Sequence, residues 1–416
     1  MNAEIISVGD ELLIGQVVNS NQAEIAELLE SVGIAVKRMT TTGDTEEEIL
    51  RTFGRALEEH DAVIVTGGLG PTHDDITRKA VCRFFNTDLV EHGPTLEHIQ
   101  ALFAARGGSL LPINRDQALV PRGCTVIPNP VGTAPGYLFH RERNVFVVLP
   151  GVPHEMRGMM ESYVVPFFLE RGTRATIHHR TLRTTGLPES LLAHRLGSVD
   201  EILSAGQGLT LAFLPSARGV RLRITGRGES LPEITAAIDE AERRIRKKVG
   251  KYIYAVEKEE LEEVLGRLLV AQGLTIAVAE SCTGGLILDR LTDVPGSSRY
   301  VERGYITYSN KSKTAELGVP EETIRTFGAV SEEVAVAMAR GARSKSNADI
   351  GLSTTGIAGP MGGSAEKPVG LVWIGYADGQ TSLAVKFHFG TDRRRIKERA
   401  AQAALELVRR KITKLE

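Results

Sequence analysis

Ser281 and Lys313 stand 32 residues apart, each at a place where a short apolar run gives way to a polar, helix-opening one. The first segment reads AVAESCTGGLI (277–287) and the second GYITYSNKSKTAELGV (304–319). Serine is a weak nucleophile at its free pKa and needs a neighbouring base. Lysine can serve once desolvation lowers its pKa. Tyr308 lies in the second turn, within reach of such a pair. The glycine-rich helix start after Ser281 offers backbone N–H groups for an oxyanion or an anionic substrate. Strand–Ser–Gly–helix junctions also arise simply as caps and tight turns, so spacing alone leaves both readings open. Cys282 is a rival nucleophile, although free cysteine is also a common small buried residue.

A second group of chemically suggestive residues fills the first 170 positions. GDELLIGQ (9–16), TTGDTEEEI (41–49), TGGLGPTHDDITRKA (66–80), NPVGTAPG (129–136) and VVLPGVPHEMRGM (147–159) each follow an apolar run or a turn signal. Glycines such as Gly67 and Gly68 let backbone N–H groups approach a phosphate. Carboxylates such as Asp10, Asp44, Asp74 and Asp75 suit a divalent metal, which takes oxygen ligands and bridges phosphates. The spacing does not identify the metal. Asp74 and Asp75 are equally suited to capping the following helix. His73 and His154 are candidate ligands or plain polar loop residues.

The elements that must position these groups can be read from the same chain. Residues 1–171 alternate apolar strands with helices: AEIISVG, then NSNQAEIAELLESVG, AVKRMTT, EEEILRTFGRALEEH and DAVIVTGG. Such alternation predicts an α/β domain, a mainly parallel sheet with helices on both faces and ligands beyond the strand C-termini. Residues 172–255 read as a small α+β module: a strand, a helix over ESLLAHRLGSVDEIL, a hairpin of LTLAFLPS with GVRLRITGRG, and a long amphipathic helix. GRGE (226–229) reads as a turn after the second hairpin strand, and RRIRKK (243–248) as a solvated helix face. Residues 256–416 alternate again and predict an α/β sandwich. Strands ending near Ser281, Tyr308 and Thr355 are expected to converge on one cleft.

Whole-chain composition sets bounds. At 416 residues two or three domains are expected. A hydrophobic fraction of 42%, a charged fraction of 25% and a formal net charge of −2 are those of a globular protein, with no electrostatic case for nucleic acid or membrane. Three cysteines (Cys82, Cys124, Cys282) make neither a disulfide framework nor a zinc site, so a reducing cytoplasm is the expected compartment. The opening residues read as a first strand, not a signal segment. A homodimer is the default oligomer.

The C-terminal motifs AESCTGG, TYSNKSK, GAVSEE (328–333), TGIAGPMGG (355–363), EKPVGLVW (366–373) and FGTDRRR (389–395) stand in the order and at the intervals of one family. They resemble the C-terminal domain of the competence/damage-inducible CinA family, known as a nicotinamide mononucleotide (NMN) amidohydrolase of Ser/Lys type. The resemblance implies Ser281 as nucleophile, Lys313 as general base and Tyr308 as a residue hydrogen-bonded within the dyad. It further implies Thr355, Gly356 and Arg393 at the substrate, with Glu280 and Thr283 in support, and no cofactor for the deamidation.

GDELL, NSN, GGLGPTHDDIT, NPVGTAPG and LPGVPHEM resemble the N-terminal domain of full-length CinA proteins, which is related to the molybdopterin-biosynthesis (MogA/MoeA-like) fold. That resemblance implies metal-dependent ADP-ribose pyrophosphatase activity, with Asp44 and Asp75 at the metal. In this family the middle module is described as KH-like. It lacks the GXXG loop with which KH domains clamp a nucleic-acid backbone, so a spacer or dimerisation role is expected. Two rival readings stand beside the hydrolase: a molybdopterin-type cofactor enzyme, and a competence-related binding scaffold.

Overall fold

Successive residues of the first strand, Ile5 and Ile6, are both fully buried but belong to cores on opposite faces of one sheet. A computed structural model describes residues 1–70, 76–105, 107, 111–171 and 176–415. The chain forms two units, Met1–His178 with Arg227–Pro232, and His179–Gly226 with Glu233–Glu416.

In the first unit β1 (Asn2–Val8), α1 (Ser20–Ser31), β2 (Ala35–Thr42), α2 (Glu46–Glu59), β3 (Ala62–Thr66) and α3 (Thr77–Phe84) alternate as expected. Asn19 caps α1 by accepting the Gln22 N–H at 3.3 Å. Further on come β4 (Thr125–Ile127), β5 (Gly136–Arg141), β6 (Asn144–Leu149) and α4 (Pro153–Met159). The sheet order is β2-β1-β3-β6-β5-β4. β2, β1, β3 and β6 run parallel, whereas β5 and β4 are antiparallel additions at one edge. Ile25, Leu29, Met156 and Met160 cover one face, and Ile49, Phe53 and Val81 the other. Every residue of β3 is buried, as a parallel strand covered on both faces must be.

The middle module contains β7 (Thr176–Thr184), α5 (Glu189–Leu196), β8 (Leu209–Ser216), β9 (Gly219–Gly228), α6 (Leu231–Val249) and β10 (Ile253–Val256), in sheet order β8-β9-β7-β10. The expected helix over 189–203 breaks at Gly197, which has φ +68°, and restarts at Val199 with Ser198 as its cap. β9 runs through the expected turn as far as Gly228. Gly226 still pairs with Leu209 there, and its Cα lies so close to α6 that a Cβ would meet Ile234 at 2.5 Å. α6 buries Ile234, Ile238, Ala241, Ile245 and Val249 along one stripe. Its basic run otherwise faces acids one turn back: Arg244 and Arg246 donate to Glu240 and Glu242, each at 2.7 Å.

The C-terminal part follows with α7 (Leu261–Gln272), β11 (Ile276–Glu280), α8 (Leu286–Thr292), β12 (Val301–Ile306), α9 (Asn310–Leu317), α10 (Glu332–Ser346), β13 (Ile350–Gly356), β14 (Leu371–Ala377), β15 (Ser382–His388) and α11 (Arg393–Ile412). The sheet order is β12-β11-β13-β14-β15. β12, β11 and β13 are parallel, so their C-terminal ends share one edge. α7, α8 and α11 pack on one face through Leu265, Ile287, Ile396 and Ala400, and α9 and α10 on the other through Leu317, Val334 and Met338. Ser331 caps α10 by accepting from the Val334 N–H. Among the described residues no helix is long and apolar enough to cross a membrane.

Candidate active site

Ser281 is the first residue beyond β11, the middle of the three parallel strands. Its N–H donates to the Thr354 carbonyl of β13 at 3.0 Å, while the Glu280 carbonyl just before it accepts from Thr307 N–H at 2.8 Å. The serine turn is thereby stitched to both neighbouring strand ends, and the expected convergence is present. Lys313 sits in the first turn of α9, whose start is fixed by a Ser309–Ser312 capping box. Helical side chains lean toward the N-terminus of their helix, so the Lys313 stem reaches back over its own cap. Its Nζ lies 3.1 Å from Ser281 Oγ, 2.8 Å from the Thr307 carbonyl and 3.5 Å from the Tyr308 carbonyl.

Lys313 is 1% exposed and Ser281 8%. Burial pushes the lysine pKa below its ordinary value, and outweighs the opposing effect of the Cys282 thiol. No carboxylate forms an ion pair with Lys313 among the described residues. The neighbours suit a neutral amine: two carbonyls can take its two N–H groups, and its lone pair is left for the Ser281 hydroxyl. Cys282 points elsewhere chemically. Burial pushes its thiol up to about 12, which removes the thiolate needed for attack near neutral pH.

The Glu280 carboxylate accepts from the N–H groups of Gly285, Ile287 and Leu288 at 2.9, 3.2 and 2.9 Å. It therefore occupies the start of α8, where the sequence allowed an anionic substrate group. Thr283 Oγ1 is buried against Thr354 Oγ1 at 2.7 Å. Neither side chain faces an open cleft. No acceptor takes the Thr283 or Gly284 N–H among the described residues.

Thr355, at the end of β13, donates its hydroxyl to the Ala329 carbonyl at 2.6 Å and is 1% exposed. Gly356 is required by packing, since a Cβ there would meet the Leu371 carbonyl at 2.7 Å. Tyr308 behaves differently from the expectation of a hydroxyl bonded within the dyad. The residue is 61% exposed and its hydroxyl accepts from Arg393 Nη2 at 3.0 Å, so its backbone carbonyl is the group that approaches Lys313. Arg393, first residue of α11, also donates from Nη1 to the Gly359 carbonyl at 2.6 Å. It ties the loops after β12 and β13 together at the mouth of the site, with no ion-paired carboxylate among the described residues.

The N-terminal unit holds a cavity of about 380 Å³ beyond the ends of β1 and β3. Gly67, Gly68, Thr66, Asn21, Glu11 and Glu155 line it. Gly67 has φ +106°, and a Cβ would lie 2.2 Å from the Val8 carbonyl; at Gly68 one would lie 2.2 Å from Thr77 Oγ1. Both glycines are thus demanded by close packing as well as suited to ligand approach. Asp10 and Asp44 do not line the cavity. Each carboxylate accepts the other residue's backbone N–H, at 3.0 and 3.1 Å, which pins the two loops together. Among the described residues the carboxylates that do reach the cavity are Glu11 and Glu155, and Glu155 also accepts from Asn129 at 2.7 Å. Sequence reasoning missed both, although each stands inside a motif it singled out. His154, next to Glu155, is exposed. His73, Asp74 and Asp75 lie outside the described residues. Away from the cavity, Glu4, Glu59 and His60 approach one another closely. There Glu4 is already compensated by Arg55 and accepts from Thr40 at 2.6 Å.

Three family models match successive parts of the chain: "Probable molybdopterin binding domain" over residues 4–170, "Damage-inducible protein CinA KH domain" over 179–255 and "CinA C-terminal domain" over 258–412. The chain is 46% identical to a CinA-like protein of Chloroherpeton thalassium, over 98% of this chain and 99% of that one. It is 43% identical to a CinA-like protein of Kosmotoga olearia over 100% of both. Among solved structures, competence/damage inducible protein CihA from Agrobacterium tumefaciens is 44% identical, covering 36% of this chain and 94% of that one, with a TM-score of 0.34.

Proposed function

The chain belongs to the CinA family, and from that footing we propose that its C-terminal domain is an NMN amidohydrolase working through Ser281 and Lys313. The observation that carries the reading is a buried lysine with no ion-pair partner among the described residues, its Nζ 3.1 Å from a serine Oγ at the end of a central parallel strand. Ser281 Oγ attacks the carboxamide carbon while neutral Lys313 takes the hydroxyl proton. The oxyanion is held by the Thr283 and Gly284 N–H groups, which have no acceptor among the described residues. Lys313 then gives its proton to the departing nitrogen, ammonia leaves, and an ester to Ser281 remains. Water attacks that ester, its proton passing to Lys313, and nicotinate mononucleotide is released as Ser281 regains a proton. The Thr307 and Tyr308 carbonyls aim the amine, Glu280 fixes the turn that carries the nucleophile, and Arg393 faces the anionic part of the nucleotide.

The N-terminal unit supports a second reading, metal-dependent hydrolysis of ADP-ribose in the glycine-lined cavity. Glu11 and Glu155, which line it, would be the oxygen donors for a divalent cation there, and the cation would supply Lewis-acid polarisation of a pyrophosphate. The test of the first reading is ammonia release from NMN by the full-length protein. Wild type should turn over and Ser281→Ala should fall to background with an unchanged circular dichroism spectrum. Wild-type rates in the alanine variant would exclude the dyad. A pterin substrate in place of ADP-ribose, or no turnover of any nucleotide, would favour the cofactor-enzyme or scaffold readings.

A further inference from the structure

Resting on the NMN reading, we propose that Lys397 is a further substrate-binding residue, which together with Arg393 grips the 5′-phosphate and makes the site selective for a mononucleotide over its nucleoside. A phosphate dianion needs donors, and the nearest helix start is already filled: the Glu280 carboxylate takes the N–H groups of Gly285, Ile287 and Leu288. The anion must therefore be held elsewhere around the dyad. α11 crosses the loops that follow the parallel strands, and Arg393 and Lys397 lie one turn apart on it, hence on the same face. Both side chains lean toward the start of the helix. The Arg393 guanidinium meets Tyr308 and Gly359, in the loops after β12 and β13. Lys397 Nζ comes to 3.6 Å from where a Cβ would stand on Gly284, three residues beyond the nucleophile.

Gly284 is exposed, so the ammonium borders open space at the mouth of the serine turn. Among the described residues no carboxylate forms an ion pair with either cation. Their neighbour Arg394, by contrast, pairs with Glu398 at 3.3 Å and is 90% exposed. Two such cations, one a planar fork and one a point charge, match a terminal phosphate that carries two charges and three acceptor oxygens.

The experiment uses the full-length protein and measures initial rates of ammonia release from NMN and from nicotinamide riboside. Lys397→Gln should raise KM for NMN roughly ten- to hundredfold, the range expected for losing one charge-assisted contact, while kcat changes by less than about threefold. KM for the riboside should not move, Lys397→Arg should restore most of the NMN affinity, and Arg394→Gln should match wild type. An unchanged KM for NMN in Lys397→Gln, or an equal rise for both substrates, overturns the assignment. Absence of ammonia release from NMN by wild type would instead defeat the deamidase reading. Calorimetric titration with inorganic phosphate then decides the anion site alone: weaker binding to Lys397→Gln than to wild type supports it, and equal or absent binding refutes it.

Discussion

Replacing Lys313 by methionine and by arginine separates its chemistry from its packing. Both variants remove a neutral amine from the dyad. General-base assistance is worth about 10² to 10⁴ in rate, so ammonia release should fall by at least ~10² in each. Their stabilities should diverge. Methionine fills the same buried volume without charge. It forfeits the 2.8 Å bond to the Thr307 carbonyl, a cost of about 1–3 kcal/mol, but also relieves the penalty of burying an amine. The net change should stay within ~2 kcal/mol. Arginine keeps its charge at any accessible pH, in a site 1% exposed that offers no ion-paired carboxylate among the described residues. An uncompensated buried charge costs about 3–5 kcal/mol, which lowers the melting temperature of the C-terminal unit by roughly 6–20 °C.

The pH dependence follows with a definite sign. Because burial lowers the Lys313 pKa, the reactive neutral form appears below the ordinary lysine value of 10.5. In wild type kcat/KM should rise with pH through that lowered pKa and then level off. Between the lowered pKa and 10.5 the unfolded chain binds a proton that the folded one does not, so stability rises with pH across that window. Lys313→Met should lack that slope. Thermal melts at several pH values and ammonia assays check all of this. Lys313→Arg as stable as Lys313→Met at pH 7, or a pH-independent wild-type rate, would refute a neutral buried base.

Cys282, with its thiol pushed up to about 12, should resist iodoacetamide at pH 8 in the folded protein, and Cys282→Ala should keep deamidation within severalfold of wild type; mass spectrometry and the ammonia assay check this. Glu155→Gln should abolish EDTA-sensitive hydrolysis of ADP-ribose while leaving ammonia release from NMN untouched, as product analysis of both substrates would show. Loss of both activities together would mean that the two sites are not independent.

The alternation of strands and helices was legible because each element announces itself locally. β1, α1, β2, α2 and β3 fall close to their expected spans. The antiparallel edge formed by β5 and β4 was not legible, since pairing direction depends on residues far apart in the chain. The helix break at Gly197 and the continuation of β9 past Gly226 reflect backbone choices made against a neighbouring element rather than by propensity.

At the site, the sequence by itself determined which chemistry is available: a serine and a lysine at successive strand exits, and glycine-rich, acid-bearing loops at the other end of the chain. Only the tertiary structure decided which atoms meet. It made the Tyr308 carbonyl, not its hydroxyl, the lysine's neighbour, and turned Glu280 inward as a helix cap. It set Asp10 against Asp44, leaving Glu11 and Glu155 to the cavity, and carried Lys397 from the last helix to the serine turn. The physical reason is common to all four. Residue type and period are properties of a short stretch of chain, but the atoms a side chain meets are set by what packs against it, and those partners come from distant segments.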